Sequence, residues 1–550
     1  MLKRLSFLIL ILSGGAAAQE ADVDALMAGF AEDGPGGVVA VYRGGDIEFA
    51  KGYGLANVEH GVPNSPSTPY HVASVSKQFT AFAVALLADQ GRLSLDDDVR
   101  RYIPELADFG HPITLRHLAT HTSGLRDHWT LWAMAGGRMD DVIRQGDLMR
   151  LVQRQRDLNF VPGTEHLYSN TGYLLLAEVV ARVTGEPFGV WMEAHVFAPL
   201  GMDDTQVVDD HERIVPGRAA SYYSADGELK RAVLSYANAG ATGLVMTAED
   251  LAHWLRNLAT HEVGGPAVAE AMLERGVLAS GDTLGYALGV VADEHRGLRR
   301  IRHGGSDAGF RTSLVYYPEI DAGIVAMGNV ASFDAGRTAT AVAEVFFSEH
   351  MTPASAAQAP LTDRVRVPLA RLDAYAGAYR IEDGPAVTIT RTGDGLAMEV
   401  EGWPPAPLAA LADTLFRVAV PGVDVRVGLS VAPDGRVERG TFYQGERSTP
   451  LRRLGESAWD PSPEALAALA GRYVSPELDA AYEARVDGDR LVLVHRRHGE
   501  IALSPTAEDA FSSGVWFLRT VTFERDVAGR PTAMLASSDR VRDLRFERRE

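Results

Sequence analysis

The sequence predicts an α+β fold in which one large domain is followed by two small β domains. In the first 350 residues, β-rich runs stand near both ends and apolar helical stretches lie between them. Later in the chain, short alternating runs are separated by Gly and Asp turns, a pattern typical of small antiparallel barrels. That pattern occurs twice. We therefore expect an antiparallel sheet packed against a helical region, followed by two small antiparallel β-barrel-like domains.

The elements of the large domain follow from its residue pattern. Its first two β-rich runs are joined by Arg43-Gly44-Gly45-Asp46, which is a hairpin signal. Its most apolar helical stretch is followed by Gly91, as expected at the C-terminus of a buried helix. The pattern predicts hairpin strands over 37–42 and 47–51, buried helices over 74–90 and 171–183, and strands over 312–317 and 323–327.

The two small domains resemble each other. Tyr375–Tyr379 matches Leu469–Tyr473, and each domain closes on a pair of arginines. Neither contains a nucleophile with a nearby base, so we interpret both as structural or substrate-gating modules. The segment after Met351 is rich in Ala, Ser and Pro, which indicates a linker. The predicted boundaries are 19–350 for the large domain, 351–365 for the linker, and 366–455 and 463–550 for the barrel-like domains.

The N-terminus has the pattern of a secretory signal. A basic start at Lys3 and Arg4 precedes an apolar run, and Ala16-Ala17-Ala18 offers a cleavage site. The run is much shorter than the ~20 residues that span a bilayer. We therefore predict a signal peptide over 1–18, no stable membrane span after its removal, and a bacterial periplasmic or extracellular destination.

Composition excludes several function classes. The chain has 53 basic and 73 acidic residues, a net charge of -20, which argues against nucleic acid as a partner. It has no cysteine, so disulfides, thiolate metal sites and a thiol nucleophile are excluded. It also has no Gly-x-Ser-x-Gly turn and no His-Glu-x-x-His motif. We expect no metal and no cofactor.

A candidate nucleophile stands at the start of the first buried helix. Ser74 and Lys77 are three residues apart, which places them on one helical face about one turn apart. A Ser hydroxyl needs a base to become nucleophilic, and a buried lysine with a lowered pKa can supply one, directly or through a second base. Backbone N–H groups at a helix N-terminus also favour a developing oxyanion.

Two further elements each occur twice. Tyr-x-Asn is found at Tyr168-Ser169-Asn170 and at Tyr236-Ala237-Asn238. Such a phenol, placed beside Lys77, could pass the Ser74 proton to a leaving group, while the amide orients the lysine and the substrate. His-x-Gly is found at His303-Gly304-Gly305 and at His295-Arg296-Gly297. The first of these lies between β runs and fits an edge strand that pairs with an extended substrate.

In order along the chain, these motifs resemble the serine β-lactamase and penicillin-binding protein superfamily, and most closely its class C β-lactamase-like hydrolases. The resemblance selects Tyr168 over Tyr236 and His303 over His295. It implies catalytic roles for Ser74, Lys77 and Tyr168, substrate binding by Asn170, His303, Gly304 and Gly305, and an oxyanion hole from the backbone N–H groups of Ser74 and Ser306. Supporting stretches are 52–57, 73–78, 121–125, 162–164, 168–173, 199–202 and 247–251.

One departure from the family pattern bears on the substrate. True β-lactamases usually carry Lys-Thr-Gly where this chain has His303-Gly304-Gly305, and His-x-Gly is more like the D-aminopeptidase branch. The resemblance therefore implies an exported serine hydrolase acting on small amides or peptides with D-residues, as a D-aminopeptidase or DD-carboxypeptidase. The alternatives are a carboxylesterase with promiscuous β-lactam acylation and a penicillin-binding or cell-wall-binding receptor without turnover. Residues 125–149, with Trp129 and Trp132, are either a substrate loop or core.

Overall fold

The computed structural model describes most of the chain outside its N-terminus and some segments around the first small domain. The predicted signal peptide lies outside the described residues up to residue 16, and so does most of the predicted linker. The described ranges are 17–30, 33–353, 367–381, 386–393, 395–400, 406–418, 425–432, 437–444, 447–454, 459 and 461–549.

A six-stranded antiparallel sheet is the centre of the large domain. Its strands are β1 (Gly37–Arg43), β2 (Asp46–Tyr53), β3 (Val291–His295), β4 (Leu298–Asp307), β5 (Phe310–Tyr317) and β6 (Ala322–Gly328). The order across the sheet is β3-β4-β5-β6-β1-β2, so strands from both ends of the domain meet at β1 and β6. This arrangement confirms the predicted antiparallel sheet.

Both faces of the sheet are covered. Along β1, Val39 and Val41 pack into a core with the helices over 17–27 and Ala335–Phe347. The alternate residues, Val38 and Ala40, pack into a larger core with the helical region on the other face. The two-residue period of a strand therefore explains why β1 is apolar at almost every position.

The helical region contains the two predicted buried helices. We name three of its helices α1 (Ser76–Asp89), α2 (His128–Met134) and α3 (Asn170–Thr184). Helix α1 is buried from Ser76 to Leu87, and the chain leaves it through Gly91 at φ 68°. The other helical segments are Ala73–Val75, Val99–Arg101, Leu115–Ala119, Gln145–Gln153, Phe188–Met192, Glu193–Phe197, Ala198–Leu200, Ala248–Thr260, Gly265–Met272, Pro318–Ile320 and Ser348–His350.

Short strands complete the large domain. Tyr70–His71, Leu244–Met246 and Gln206–Val207 form a small sheet beside the start of α1. Ile143–Arg144 pairs with Tyr236–Ala237. The remaining pairs are Leu55–Asn57 with Val62–Pro63, and Tyr222–Ala225 with Glu228–Arg231. Among the described helices, none is both long enough and apolar enough to cross a membrane.

The two C-terminal domains are closed eight-stranded antiparallel barrels. The first is preceded by the helix Leu369–Tyr375 and the second by the helix Pro463–Leu469. The strands of the first are Gly377–Ile381, Ala386–Thr392, Gly395–Val400, Ala406–Ala412, Leu415–Val418, Val425–Val431, Val437–Gln444 and Arg447–Arg453. Those of the second are Gly471–Ser475, Ala480–Asp487, Arg490–His495, Gly499–Ala507, Ala510–Val515, Leu518–Arg525, Pro531–Ser537 and Leu544–Arg549. The predicted fold class is confirmed.

The residues that recur in both barrels make equivalent hydrogen bonds. In the first barrel the Tyr379 hydroxyl donates to the Tyr375 carbonyl, and Arg453 donates to the Ala376 carbonyl. In the second barrel Tyr473 and Arg548 make the matching bonds, to the carbonyls of Leu469 and Ala470. The tyrosine and the terminal arginine thus attach each barrel to the helix before it, which explains why both recur.

The second barrel packs directly against the large domain. Leu131 and Met134 of α2 belong to the same apolar core as the interior of this barrel, and the Tyr482 hydroxyl donates to the Met134 carbonyl. Beside this core, the buried Arg126 pairs with Glu477 at 3.1 Å. The interface therefore combines shared apolar burial with a largely desolvated ion pair.

Candidate active site

The predicted nucleophile lies at the entrance to α1. Ser74 is in the short 3₁₀ turn Ala73–Val75, and Lys77 is in the first turn of α1, so that the Lys77 Nζ lies 3.1 Å from the Ser74 Oγ. Ala73, just before the serine, has φ 49°, in the left-handed region that costs an L-residue about 1–2 kcal/mol. Strained backbone of this kind is concentrated at functional sites.

Lys77 is buried and fully engaged. Its Nζ also donates to the Asn170 Oδ1 and to the Ala241 carbonyl, each at 2.8 Å. Burial lowers the pKa of Lys77 to about 7, although the carboxylates of Asp307 and Asp127 act in the opposite direction. A lysine with this pKa is substantially neutral near pH 7, so it can accept a proton from the hydroxyl beside it.

Tyr168 lies against the lysine. Its ring centroid is 5.0 Å from the Lys77 Nζ. Burial raises the pKa of the Tyr168 phenol, and contact with the Ser74 side chain and the charge of Arg540 offset this only partly. The phenol is therefore protonated at neutral pH, which suits it to relay a proton rather than to start the reaction as a phenolate.

The rival Tyr-x-Asn has a structural position. Tyr236 stacks on Trp129 with ring centroids 4.7 Å apart, and Asn238 donates to the Ile143 carbonyl at 3.0 Å. The sequence left open whether Trp129 belongs to a substrate loop or to the core. The structure buries it in the main core. Trp132 packs at the edge of the core, and its Nε1 donates to the Arg138 carbonyl.

Asn170 is positioned by a carboxylate that was not predicted from the sequence. The Asp127 Oδ2 accepts from both the backbone N and the Nδ2 of Asn170, at 2.7 and 2.8 Å. Its other oxygen caps the N-terminus of α2. With its amide nitrogen held in this way, Asn170 must turn its Oδ1 to Lys77. An Asp before an apolar helix is an N-cap signal, and that was the only local sign of Asp127.

His303, Gly304 and Gly305 lie on an open edge of β4. Strand β3 pairs only with the first half of β4, up to Arg302, so 303–307 pair with no strand on that side within the described part of the chain. A Cβ on Gly305 would lie 2.3 Å from the Val72 carbonyl oxygen and 3.2 Å from the Ser74 N. Only glycine permits this close approach of β4 to the backbone at Ser74.

His303 is neutral. Its Nδ1 contacts the Gly304 carbonyl at 2.6 Å and its Nε2 contacts the Tyr286 hydroxyl at 2.9 Å. Burial, together with the charge of Lys77, lowers the pKa of His303 to about 3. Unlike a lysine, it supplies no fixed cation to the cleft. The rival His295 lies at the far end of β3, where it contacts the Tyr317 hydroxyl.

Two more residues surround Tyr168. His121 packs on one part of its ring, with centroids 4.1 Å apart, and the Arg540 guanidinium lies 4.9 Å from the ring centroid. Arg540 belongs to the second barrel, in the loop between its last two strands. The Arg540 carbonyl accepts from the Asp127 N and the Asn159 Nδ2, which hold the loop against the large domain.

Comparison with known proteins identifies relatives of this chain. The family model described as Beta-lactamase matches residues 22–346. A D-aminopeptidase of Gluconobacter oxydans is 27% identical over 96% of this chain and 98% of its own length. Penicillin-binding protein 4* of Bacillus subtilis is 26% identical over 72% of this chain and 90% of its own. The structure of an octameric penicillin-binding protein homologue from Pyrococcus abyssi matches 80% of this chain and all of its own, with a TM-score of 0.55 and 21% identity, which shows the fold alone.

Proposed function

The chain belongs to the beta-lactamase family and is a serine hydrolase, and we propose that it is exported and cleaves amide or peptide bonds of D-residues through an acyl-enzyme on Ser74. The observation that carries the mechanism is the contact of Ser74 with a buried lysine whose pKa is lowered to about 7. Similarity to a D-aminopeptidase over nearly the full length of both chains supports the substrate class.

Acylation begins with neutral Lys77. It takes the proton of the Ser74 hydroxyl as Oγ forms a bond to the substrate carbonyl carbon. The carbonyl oxygen becomes an oxyanion, which the backbone N–H groups of Ser74 and Ser306 stabilise. Asn170 keeps the lysine in place throughout, because its Oδ1 accepts from Nζ while Asp127 fixes the rest of the amide.

The leaving amine then needs a proton. The C–N bond breaks as the Tyr168 hydroxyl protonates the nitrogen and is itself reprotonated by the Lys77 ammonium. The free amine departs and Ser74 carries an acyl ester. Water attacks this ester with neutral Lys77 again accepting a proton, and breaking the ester C–O bond returns the proton to Ser74. The second step releases a carboxylic acid and restores the enzyme.

The neutral His303 favours a peptidase or amidase over a β-lactamase. A β-lactam antibiotic presents a carboxylate, and a fixed cation at this position of the edge strand would bind it. With pKa about 3, His303 offers only hydrogen bonds at neutral pH. We therefore expect slow turnover of β-lactams relative to D-residue amides.

The experiment compares three substrates with the chain expressed as residues 19–550. We expect the highest kcat/KM on D-alanine p-nitroanilide, with p-nitrophenyl butyrate and nitrocefin as rivals. Ser74→Ala should abolish turnover. Ser76→Ala is the matched control and should remain active, because the one hydrogen bond of the Ser76 hydroxyl among the described residues is accepted from the Leu244 N. Turnover in Ser74→Ala would refute the acyl-enzyme.

The same assay separates the alternatives. Butyrate ester hydrolysis without amide hydrolysis would identify a carboxylesterase. Stable labelling by a fluorescent penicillin with no turnover on any substrate would identify a receptor. Export is tested separately by the N-terminus of protein recovered from the periplasm or the medium of a bacterial host, where cleavage should leave Gln19 first.

A further inference from the structure

The open edge of β4 ends in a carboxylate to which neither the sequence nor the mechanism assigns a role. We propose that Asp307 binds the α-ammonium group of the substrate, so that the enzyme prefers acyl groups with a free amine. This inference rests on the proposed function, because it concerns the residue whose carbonyl acylates Ser74. It distinguishes an aminopeptidase, which releases a free N-terminal residue, from an enzyme that cleaves at the carboxyl end of a longer peptide.

Asp307 is held in place by neutral groups. Its Oδ2 accepts from the Thr242 hydroxyl at 2.6 Å and contacts the His71 Nε2 at 2.9 Å. His71 is buried, and burial lowers its pKa, so it is neutral near pH 7. These contacts fix the orientation of the carboxylate without neutralising it.

No lysine or arginine among the residues described pairs with Asp307. The nearest arginine along β5, Arg311, donates instead to the carbonyls of Ala308 and Phe310. The Oδ1 of Asp307 has no hydrogen-bond partner in the described part of the chain, and 16% of the side chain is exposed. A fixed, partly exposed and unpaired negative charge favours a cation as its ligand.

The carboxylate is close to the reaction centre. Thr242, which donates to it, directly follows Ala241, whose carbonyl accepts from the Lys77 Nζ. Along β4, Gly305 contacts the Ser74 backbone and Asp307 is two residues further, which is about 7 Å in a strand.

The length of an amino acid is compatible with an ammonium group at Asp307. In an aminoacyl group the α-nitrogen is about 2.5 Å from the carbonyl carbon, and a charge-assisted hydrogen bond adds about 2.8 Å. Together these lengths reach about 5.3 Å from an acyl carbon on Ser74. Residues two apart in a strand share a face, so the Asp307 side chain lies on the same face of β4 as the Gly305 position that meets Ser74, and the remaining distance is for its carboxylate to cover. The guanidinium of Arg540 lies over the Tyr168 ring, so its positive charge would repel a substrate ammonium group that was turned toward Tyr168.

The experiment measures a preference that does not depend on amide cleavage. The methyl esters of D-alanine and isobutyric acid have nearly the same shape, but only the first carries an ammonium group at pH 7. We expect the ratio of their kcat/KM values to fall about 10- to 100-fold in Asp307→Asn, since a hydrogen bond to a charged group is lost. Asn keeps an acceptor for Thr242, and exposed Asp46 provides the control Asp46→Asn, which should leave the ratio unchanged.

The ratio is internally controlled. Both esters are measured on one preparation, so partial misfolding of the variant cancels. A ratio that changes less than twofold in Asp307→Asn would overturn the ammonium site, as would equal reduction of both substrates. Failure of the proposed function has a different signature: D-alanine p-nitroanilide would not be cleaved by the wild-type enzyme, while the ester ratio would still report on Asp307.

Discussion

The guanidinium of Arg540 lies 4.9 Å from the ring centroid of Tyr168, although the two residues belong to different domains. The charge of Arg540 lowers the pKa of both the Tyr168 phenol and the Lys77 ammonium. The second barrel therefore contributes to the electrostatics of the proton-handling pair, and it does so through a loop bonded to Asp127.

Removing this charge should move the pH profile. In Arg540→Gln we expect the pKa of Lys77 to rise, because a nearby cation no longer disfavours the ammonium form. The acid limb of kcat/KM should then move to higher pH, and activity at pH 7 should fall about twofold to sixfold. Arg542→Gln is the control, because Arg542 pairs with Glu165 and lies over Phe160. An acid limb that stays in place in Arg540→Gln would show that the guanidinium does not act on Lys77.

The wild-type enzyme should itself show an acid limb near pH 7. The pKa of Lys77 is about 7, and only its neutral form accepts the Ser74 proton, so kcat/KM should rise tenfold per pH unit below this value and level off above it. Lys77→Arg should lose at least about a thousandfold, since a guanidinium cannot act as a base. A limb that follows the ordinary histidine pKa near 6.5, and that disappears when His303 is replaced, would contradict this assignment.

Local sequence pattern predicted the parts of the site that lie within one turn or one strand. Ser74 and Lys77 meet because residues three apart share a helical face, and His303 lies on a strand edge as expected. Composition alone does not decide whether Tyr168 or Tyr236 is the catalytic tyrosine, whereas resemblance to the family selects Tyr168. The structure shows Tyr236 stacked on Trp129.

The contacts that the sequence did not predict are those between elements that are far apart in the chain. Arg540 stands in an ordinary polar turn of the second barrel, and nothing near it in the chain marks its approach to Tyr168. Asp127 has an N-cap pattern, but its second role depends on where α3 places Asn170. Both roles arise only when separate elements pack together, so no periodicity or motif reports them.

Asp127 should act as a positioning residue. In Asp127→Ala, the backbone N and Nδ2 of Asn170 and the first N–H groups of α2 lose their acceptor in a buried site. We expect a loss of about 2–4 kcal/mol in the free energy of unfolding and a reduction of kcat greater than the change in KM. Asp334→Ala is the comparison, since it removes the N-cap of the helix Ala335–Phe347 away from the site and should cost about 1 kcal/mol without altering kcat. Equal kcat in the two variants would show that Asp127 acts only as a helix cap.

Gly305 should tolerate no side chain. A Cβ there would lie 2.3 Å from the Val72 carbonyl oxygen, so Gly305→Ala must push β4 away from Ser74 and widen the oxyanion hole. We expect a loss of at least about 100-fold in acylation rate, the size found for one oxyanion donor, and a lower unfolding temperature. At Gly304 the nearest atom to a Cβ is 3.7 Å away, so Gly304→Ala should unfold at nearly the wild-type temperature. Rapid acylation of Gly305→Ala, followed with a chromogenic ester, would contradict the close approach.

The interface of the second barrel offers a matched pair of acidic residues. Glu477 accepts from Arg126 at 3.1 Å and from the Arg156 N at 2.9 Å, and the side chains of the ion pair are only 2% and 11% exposed. Asp479 is 85% exposed and 3.8 Å from Arg154. Glu477→Ala leaves a buried guanidinium without its carboxylate, so we expect a loss of about 3 kcal/mol in the free energy of unfolding by urea. Asp479 has φ 54°, in the left-handed region that Asn also tolerates, so Asp479→Asn is the control and should cost less than about 0.5 kcal/mol. Arg126 also donates to the Arg542 carbonyl, so Glu477→Ala should disturb the Arg540 loop and lower kcat/KM, whereas Asp479→Asn should not. If Glu477→Ala is destabilised while its kcat/KM stays at the wild-type value, the barrel stabilises the large domain without positioning the loop at Tyr168.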